Sequence, residues 1–169
     1  GVILIAAKID STSKELRFIL DTGSSGISLD STTVTQLGFT VSPPSLRIKG
    51  VGGFVDVGFV RNKKLWIKNL LIDSLNFHVI DYSMLTAKYG YKIDGIIGYS
   101  LFSRYIVKIN YDDTVVSICS KGSIKYPRGG YMIYPHIGKL PISSARVSDQ
   151  TTKKLNYIFD IGAGLTILF

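Results

Sequence analysis

The chain has 169 residues, of which 46% are apolar and 19% charged, and its formal net charge is +8. This composition allows one ordinary domain, or one domain with part of another, and it excludes an intrinsically disordered chain. A single Cys excludes a scaffold of intramolecular disulfides, and every apolar run falls far short of the roughly 20 residues of a membrane span.

Short apolar runs rich in Val, Ile, Phe and Tyr recur between Gly, Asp and Ser breaks, which predicts an all-β fold. In chain order, strands are predicted over 2–9, 15–21, 46–51, 54–60, 64–68, 70–80, 93–97, 104–111 and 114–119. Short helices are predicted over 31–37, 83–88 and 99–103. Asp30 or Ser31 is the expected N-cap of the first helix, which ends before Gly38.

Local patterns support several of these elements. Apolar residues at Leu16, Phe18 and Leu20 alternate as in a half-buried strand. Residues 111–114 separate two apolar runs and are predicted to form a tight hairpin turn. Cys119 ends the second of these runs and is expected to be a small buried hydrophobic residue.

The positive charge is unevenly distributed but not clustered. Residues 1–120 hold 13 Lys or Arg and 10 Asp or Glu, for +3, whereas residues 121–169 hold 7 and 2, for +5. The aromatic-basic cluster over 61–68 alternates like the solvated face of a strand. This scatter disfavours a nucleic-acid-binding protein, although a general attraction to acidic partners or anionic surfaces stays open.

An acidic residue directly follows one of the predicted strands. In Phe18-Ile19-Leu20-Asp21-Thr22-Gly23-Ser24-Ser25, a carboxylate is succeeded by Gly and by hydroxyl residues. The strand would fix the carboxylate, the glycine would let other backbone approach it, and the hydroxyls could donate hydrogen bonds to it. Taken alone, Asp-Thr-Gly also fits an ordinary β-turn.

The same pattern returns late in the chain. Residues 121–130 lose the apolar periodicity and gain turn formers, which predicts a linker. Beyond it, Tyr157–Leu168 repeats Arg17–Leu29, since in both an apolar strand runs into Asp-x-Gly and then into another apolar strand. Asp160 follows Asp21 by 139 residues, a spacing that indicates a duplicated lobe and not a solenoid.

Two further motifs lie between the two aspartates. Ile93–Phe102 contains an apolar strand that ends at Gly98 and a short helix, and a long alternating strand follows. Ile48–Val55 contains three glycines within four residues, as in a β-hairpin. In this order the motifs resemble the aspartic peptidases, specifically the retroviral-protease-like families found in bacteria.

The resemblance implies an acid-protease (retropepsin-like) fold, a closed β-barrel lobe with one or two short helices. It makes residues 1–120 a complete lobe, with 121–130 as linker and 131–169 as the beginning of a second lobe, as in pepsin-like enzymes. The most economical explanation is a two-lobed enzyme of which this chain carries only part.

The resemblance also implies the site. Asp21 and Asp160 would be the catalytic residues of an aspartic endopeptidase, with Ile97-Gly98 lying beside the first of them. The expected active-site loops contribute Thr22, Gly23, Ser24 and Gly162. The expected flap is formed by Gly50, Val51, Gly52 and Gly53.

One carboxylate cannot act as both base and acid, so a second aspartate is required. Asp160 is the candidate from the same chain, and Asp21 of a second chain, in a homodimer, is the alternative. Ile161 departs from the family, in which a threonine at this place hydrogen-bonds across to the other loop. Because Ile has no donor, such a lock would be one-sided here.

Other chemistry has little support in the sequence. With one Cys and only His78 and His136, neither a metal site nor a cofactor is expected. The expected partner is a polypeptide substrate, and no nucleic acid. A non-catalytic peptide-binding domain of the same fold, or an inactive half-enzyme, is the rival interpretation. The compartment stays open, with an extracytoplasmic (periplasmic or secreted) location favoured.

Overall fold

The computed structural model describes residues 2–50, 53–124, 129, 132–146 and 154–163. The strands are β1 (Ile3–Ile9), β2 (Leu16–Leu20), β3 (Ile27–Asp30), β4 (Leu46–Gly50), β5 (Gly53–Val57), β6 (Phe59–Ile67), β7 (Leu70–Ile80), β8 (Gly95–Ile97), β9 (Ile106–Asn110), β10 (Val115–Cys119), β11 (His136–Ile137), β12 (Pro141–Ala145) and β13 (Leu155–Ile158). The helices are α1 (Ser31–Gln36), α2 (Ser83–Tyr89) and α3 (Tyr99–Phe102). No helix within these ranges has the length and apolar character needed to cross a membrane.

Six strands close into a barrel in the order β1-β2-β8-β3-β7-β6. β8 lies parallel to β2 and antiparallel to β3, so it is inserted between two strands that are neighbours in sequence. In this register Leu20 at the end of β2 lies opposite Ile97 at the end of β8. The predicted all-β fold with a closed barrel and few short helices is confirmed.

The barrel core is built by the alternation along β2. Leu16, Phe18 and Leu20 are completely buried, and burying each such side chain stabilises the fold by about 1.5–3 kcal/mol. Ile19 points to the other face, where it packs in a second apolar cluster with Ile93. Because both faces are buried at this end, β2 ends in a rigid support for the residue that follows.

α1 begins and ends as its sequence predicts. The Asp30 carboxylate accepts hydrogen bonds from the backbone N–H groups of Thr32 and Thr33, as an N-cap residue does. The helix ends at Leu37, and Gly38 then adopts a φ of 65°, which a residue with a side chain rarely does.

β9 and β10 form a two-stranded antiparallel sheet outside the barrel, joined by the predicted tight turn. The Asn110 side-chain oxygen accepts hydrogen bonds from the N–H groups of Asp112 and Asp113 in that turn. Cys119 lies opposite Ile106 and is only half-buried. The expectation of a buried Cys119 is therefore wrong, because a two-stranded sheet beside the barrel does not enclose its end.

The predicted division between strands 54–60 and 64–68 is also wrong. β5 ends before Gly58, and the intervening residues 61–63 belong to β6, whose register with β7 is irregular at this point. A Cβ on Gly58 would clash with the Ser42 carbonyl, so the close approach of another segment marks the real break. This contact is not local, and the alternation of apolar residues carries no sign of it.

The remaining sheet, β11-β12-β13, repeats the first hairpin of the barrel. Ile142 pairs with Ile158 in β12 and β13, as Leu4 pairs with Ile19 in β1 and β2. The pairing is the same after a shift of 138 residues in the first strand and 139 in the second. The repeat in the sequence is therefore also a repeat of strand register.

Candidate active site

The first candidate active-site loop runs from the end of β2 to the start of β3. The Asp21 N–H donates to the Ile97 carbonyl (2.9 Å), so β8 lies directly beside the aspartate, in agreement with the sequence. Gly98 then donates its N–H to the Gly26 carbonyl (2.9 Å). A Cβ on Gly98 would clash with the carbonyl oxygens of Ser24 and Gly26, so this close approach requires glycine.

The second loop follows β13 and has the same local structure. The Asp160 Oδ1 atom accepts hydrogen bonds from the N–H groups of Gly162 (2.8 Å) and Ala163 (2.9 Å). In the first loop, Asp21 Oδ1 accepts from the Gly23 N–H (2.6 Å). Each carboxylate is thus oriented by backbone donors of its own loop.

The two loops meet face to face through their glycines. A Cβ on Gly23 would clash with the Asp160 carboxylate, and a Cβ on Gly162 would clash with the Asp21 carboxyl group. Each carboxyl group therefore lies directly against the backbone of the opposite loop, and the two carboxyl groups are close neighbours. Two side chains that are 139 residues apart in sequence therefore share one site, and only glycine leaves room for this arrangement.

The Thr22 hydroxyl joins the loops by two hydrogen bonds. Its Oγ1 atom donates to the Phe159 carbonyl (2.5 Å) and accepts from the Ile161 N–H (3.1 Å). The Ile161 side chain packs against the apolar cluster of the barrel instead of returning a hydrogen bond. Only the first loop therefore contributes a hydroxyl group to the contact between the loops, and the second loop contributes the apolar side chain of Ile161.

The environment of Asp21 favours its protonated form. Asp21 is half-buried whereas Asp160 is exposed. Burial raises the pKa of Asp21, the hydrogen bond and negative charge of Asp160 raise it further, and the N–H groups of Gly23 and Ser24 lower it, giving a pKa of about 7. The pair consequently keeps one proton at pH values well above those at which a carboxyl group is usually ionised.

A pair in this state contains a protonated carboxyl group beside an ionised one. The ionised carboxylate can act as a general base and the protonated one as a general acid. Within the described residues, no group of His, Cys, Asp and Glu side chains has an arrangement that could bind a metal ion. The chemistry that the two carboxyl groups can supply is proton transfer.

The predicted flap segment forms the β4–β5 hairpin, in which Gly50 pairs with Gly53. Arg47 and Asp56 pair across it through two hydrogen bonds, Nε to Oδ1 (2.7 Å) and a terminal nitrogen to Oδ2 (2.9 Å). Val51 and Gly52, at the predicted tip, lie outside the described residues. The flap role of this hairpin stays a prediction.

Sequence reasoning missed the buried polar network that supports the site. Asp94, which precedes β8, accepts hydrogen bonds from the Arg17 N–H (2.9 Å) and the Thr33 hydroxyl (2.7 Å). Asp30 accepts from the Tyr82 N–H (2.9 Å) besides capping α1. An acidic residue immediately before an apolar strand was the available signal at Asp94, but its partners come from other elements.

A barrel with two facing Asp-containing loops defines a protein of the acid-protease class. A family model for aspartyl proteases matches residues 5–101, more than half of the chain. The chain therefore belongs to the aspartyl protease family, which confirms the resemblance predicted from its motifs and supports a protease-like function.

Several solved structures are similar to the chain. EIAV protease in complex with the inhibitor HBY-793 is 20% identical, with a TM-score of 0.46, over 61% of this chain and 86% of the other. The retroviral protease-like domain of Ddi1 from Leishmania major is 16% identical, with a TM-score of 0.49, over 73% of this chain and 90% of the other. A retropepsin-like aspartic protease from Rickettsia conorii is 21% identical, with a TM-score of 0.46, over 66% of this chain and 79% of the other. No curated protein matches the chain.

Proposed function

We propose that this chain is an aspartic endopeptidase in which Asp21 and Asp160 activate a water molecule to hydrolyse a peptide bond. The observation that carries the proposal is that each of these carboxyl groups lies against the glycine of the opposite loop, which brings the two side chains together. The matching loops and the glycines that let them meet support it.

The reaction follows from the shared proton. The ionised carboxylate takes a proton from water as the water oxygen attacks the peptide carbonyl carbon. The protonated carboxyl group donates its proton to the carbonyl oxygen, which gives a neutral tetrahedral intermediate. When the C–N bond breaks, the protonated carboxyl group donates its proton to the leaving nitrogen, and the ionised carboxylate takes a proton from one hydroxyl group of the intermediate, so that the pair is again singly protonated.

Other residues have positioning roles in this proposal. Thr22 sets the distance between the loops, and Gly23 and Gly162 allow the carboxyl groups to meet. The β4–β5 hairpin is proposed to cover the substrate as a flap, which would exclude water from the reacting bond. Phe54 and Val55, on this hairpin, are exposed.

Single amide substitutions test the catalytic pair. Asp21→Asn and Asp160→Asn should each abolish cleavage of unstructured peptides, because the amide has nearly the size of the carboxyl group but cannot act as a base. Both variants should keep the wild-type circular dichroism spectrum. Asp112→Asn, in the exposed turn between β9 and β10, is the matched control and should keep full activity.

The two variants also separate the possible sources of the second aspartate. If Asp160→Asn remains active while Asp21→Asn is inactive, the pair within one chain is wrong, and Asp21 of a second chain is the catalytic partner. Sedimentation of the wild-type chain should then show a dimer.

A non-catalytic peptide-binding domain is the second candidate. It is favoured by the exposure of Asp160 and by the absence of a hydroxyl group at Ile161, both of which loosen the catalytic pair. Binding of an unstructured peptide without cleavage at any pH from 3 to 8, by wild-type chain, would decide for this candidate.

A further inference from the structure

The imidazole of His78 lies against the active-site loop at the end opposite Asp21. A Cβ on Gly26 would lie 3.1 Å from His78 Cε1 and 3.6 Å from Nδ1, so the ring packs on the loop backbone at its glycine. His78 is on β7, paired in register with Ser28 of β3, the strand into which the loop runs. The ring is thus held at the edge of the candidate active site by the barrel itself.

The surroundings of His78 are basic. Burial lowers the pKa of His78, and the positive charge of Lys139 lowers it further, which places that ammonium group near the ring. The edge of the ring contacts Phe59 (centroids 5.0 Å apart), and the Arg61 guanidinium lies 4.9 Å from the Phe59 centroid. The two charged groups that these interactions place around the His78–Phe59 pair, Lys139 and Arg61, are therefore both cations.

These basic groups have no acidic partner in the part of the chain that the structure describes. Neither nitrogen of His78 makes a hydrogen bond there, and neither Lys139 nor Arg61 makes an ion pair. A half-buried imidazole with free nitrogens beside an unpaired ammonium group is suited to a carboxylate, which can accept from both.

We propose that an acidic side chain of the polypeptide substrate binds between His78 and Lys139, beside Gly26. This inference rests on the proposed peptidase function and names the class of substrate. Lys139 lies between β11 and β12, so the subsite is formed, like the catalytic pair, by both the barrel and the repeated hairpin. A neutral side chain there leaves the ammonium group without a partner.

The proposal predicts a preference at one position of the peptide. In an extended peptide each residue advances by about 3.3 Å and successive side chains point to opposite faces. An acidic residue can therefore reach His78 and Lys139 from one position relative to the cleaved bond, but not from the adjacent ones. General attraction to a chain of net charge +8 would instead favour acidic residues at every position alike.

The test moves one Glu along a neutral peptide, with Gln at the same place as reference. Wild-type kcat/KM is measured for each peptide, and the dissociation constant is measured on the inactive Asp21→Asn variant. We expect Glu to be favoured about fivefold at one position, as a partly exposed ion pair allows. Lys139→Glu should abolish or reverse this preference, and His78→Phe should weaken it.

Lys108→Glu is the control for net charge, since it makes the same change at an exposed lysine of β9. It should leave the positional preference intact. The proposal is overturned if Glu is favoured equally at all positions, or if Lys108→Glu and Lys139→Glu act alike.

The two readouts separate this inference from the proposed function. Cleavage without a positional preference overturns the subsite and leaves the peptidase standing. Binding to Asp21→Asn with a preference that depends on Lys139, but no cleavage by the wild type, supports the subsite and overturns the peptidase. Neither binding nor cleavage overturns both.

Discussion

The contact between the two active-site loops depends at the residue scale on one hydroxyl group. Thr22 donates to one backbone group of the opposite loop and accepts from another, whereas Ile161 offers only an apolar side chain that packs against the barrel cluster. An apolar contact in place of a hydroxyl group keeps the loop in place but does not fix its orientation, because apolar packing is not directional. Thr22 therefore has no substitute in fixing the geometry of the pair.

Removal of this hydroxyl should be costly for activity. Thr22→Val keeps the shape of the side chain but leaves the Ile161 N–H without its acceptor, which should lower the free energy of unfolding by about 1–2 kcal/mol. Because the loops would then be misaligned, kcat should fall at least about tenfold. Steady-state kinetics and denaturant unfolding measure the two effects.

Thr35→Val is the control for this variant, since Thr35 is exposed and its hydroxyl bonds only within α1. Wild-type kcat for Thr22→Val would show that the hydroxyl does not position the pair.

The raised pKa of Asp21 predicts the pH dependence of the reaction. The folded chain keeps the shared proton up to a pKa of about 7, against an ordinary value of 3.8. Since the general acid must be protonated, kcat/KM should decline as the pH rises through about 7. A pH profile on an uncharged peptide measures this. A decline already centred near pH 4 would contradict the coupling between Asp21 and Asp160.

At the scale of elements, Asp30 connects several parts of the barrel. Burial alone would raise its pKa, but the Lys92 ammonium (2.5 Å), the Thr32 hydroxyl and two backbone N–H groups lower it to about 2. These contacts tie α1 to the segments on both sides of α2. A folded-state pKa below that of the unfolded chain means that ionised Asp30 stabilises the fold.

The stabilisation by Asp30 should depend on pH. It is present above the unfolded pKa near 4 and is lost as the pH falls toward about 2. Asp30→Asn should lower the free energy of unfolding by about 2 kcal/mol at pH 7 and by much less at pH 2.5. Denaturant unfolding at both pH values measures the difference.

The matched control for Asp30 is Asp56→Asn, which removes an exposed ion pair with Arg47 on the hairpin. It should leave the free energy of unfolding nearly unchanged at either pH, because solvent screens an exposed ion pair. If both substitutions lowered the free energy of unfolding equally, the buried contacts of Asp30 would contribute no more to stability than an exposed ion pair.

The repeated hairpin β12–β13 differs from its counterpart in burial. Leu16, which begins β2, is completely buried, whereas Leu155, at the equivalent place in β13, is 41% exposed. Phe159, which precedes Asp160, is 44% exposed. The β12–β13 hairpin therefore has the same register as β1–β2, although its side chains are less buried.

On the scale of the whole molecule, the barrel should fold without the repeated hairpin. Among the residues that the structure describes, the main apolar cluster consists of residues between Ile3 and Ile118 together with Ile161. A chain of residues 1–124 should therefore give the β-rich circular dichroism spectrum and lose only a little stability. It lacks Asp160, so as a monomer it should not cleave peptides at all.

A cleaving 1–124 chain would identify a homodimer with Asp21 from both copies, and analytical ultracentrifugation would show its assembly. Failure of 1–124 to fold, while the full chain folds, would show that the second segment contributes more to stability than the apolar cluster indicates.

Local pattern predicted those features that depend on neighbouring residues. Three such features were predicted from the sequence: the alternation along β2, the Asp30 cap of α1 and the turn before β10. Each needs only a few adjacent side chains. β3 was visible only as the apolar end of the repeated motif, since four residues are too few for a clear period. The break at Gly58 and the burial of Cys119 were predicted wrongly, because both depend on distant segments.

The amino-acid sequence is enough to establish that Asp21 and Asp160 follow apolar strands in two copies of one motif, and that Ile161 cannot return the hydrogen bond of Thr22. These are properties of residue types and of their spacing. Folding in three dimensions brings the two carboxyl groups together and places His78 against Gly26. Such contacts depend on strands paired across the barrel and on loops 139 residues apart, and their distances follow from packing, which no local pattern records.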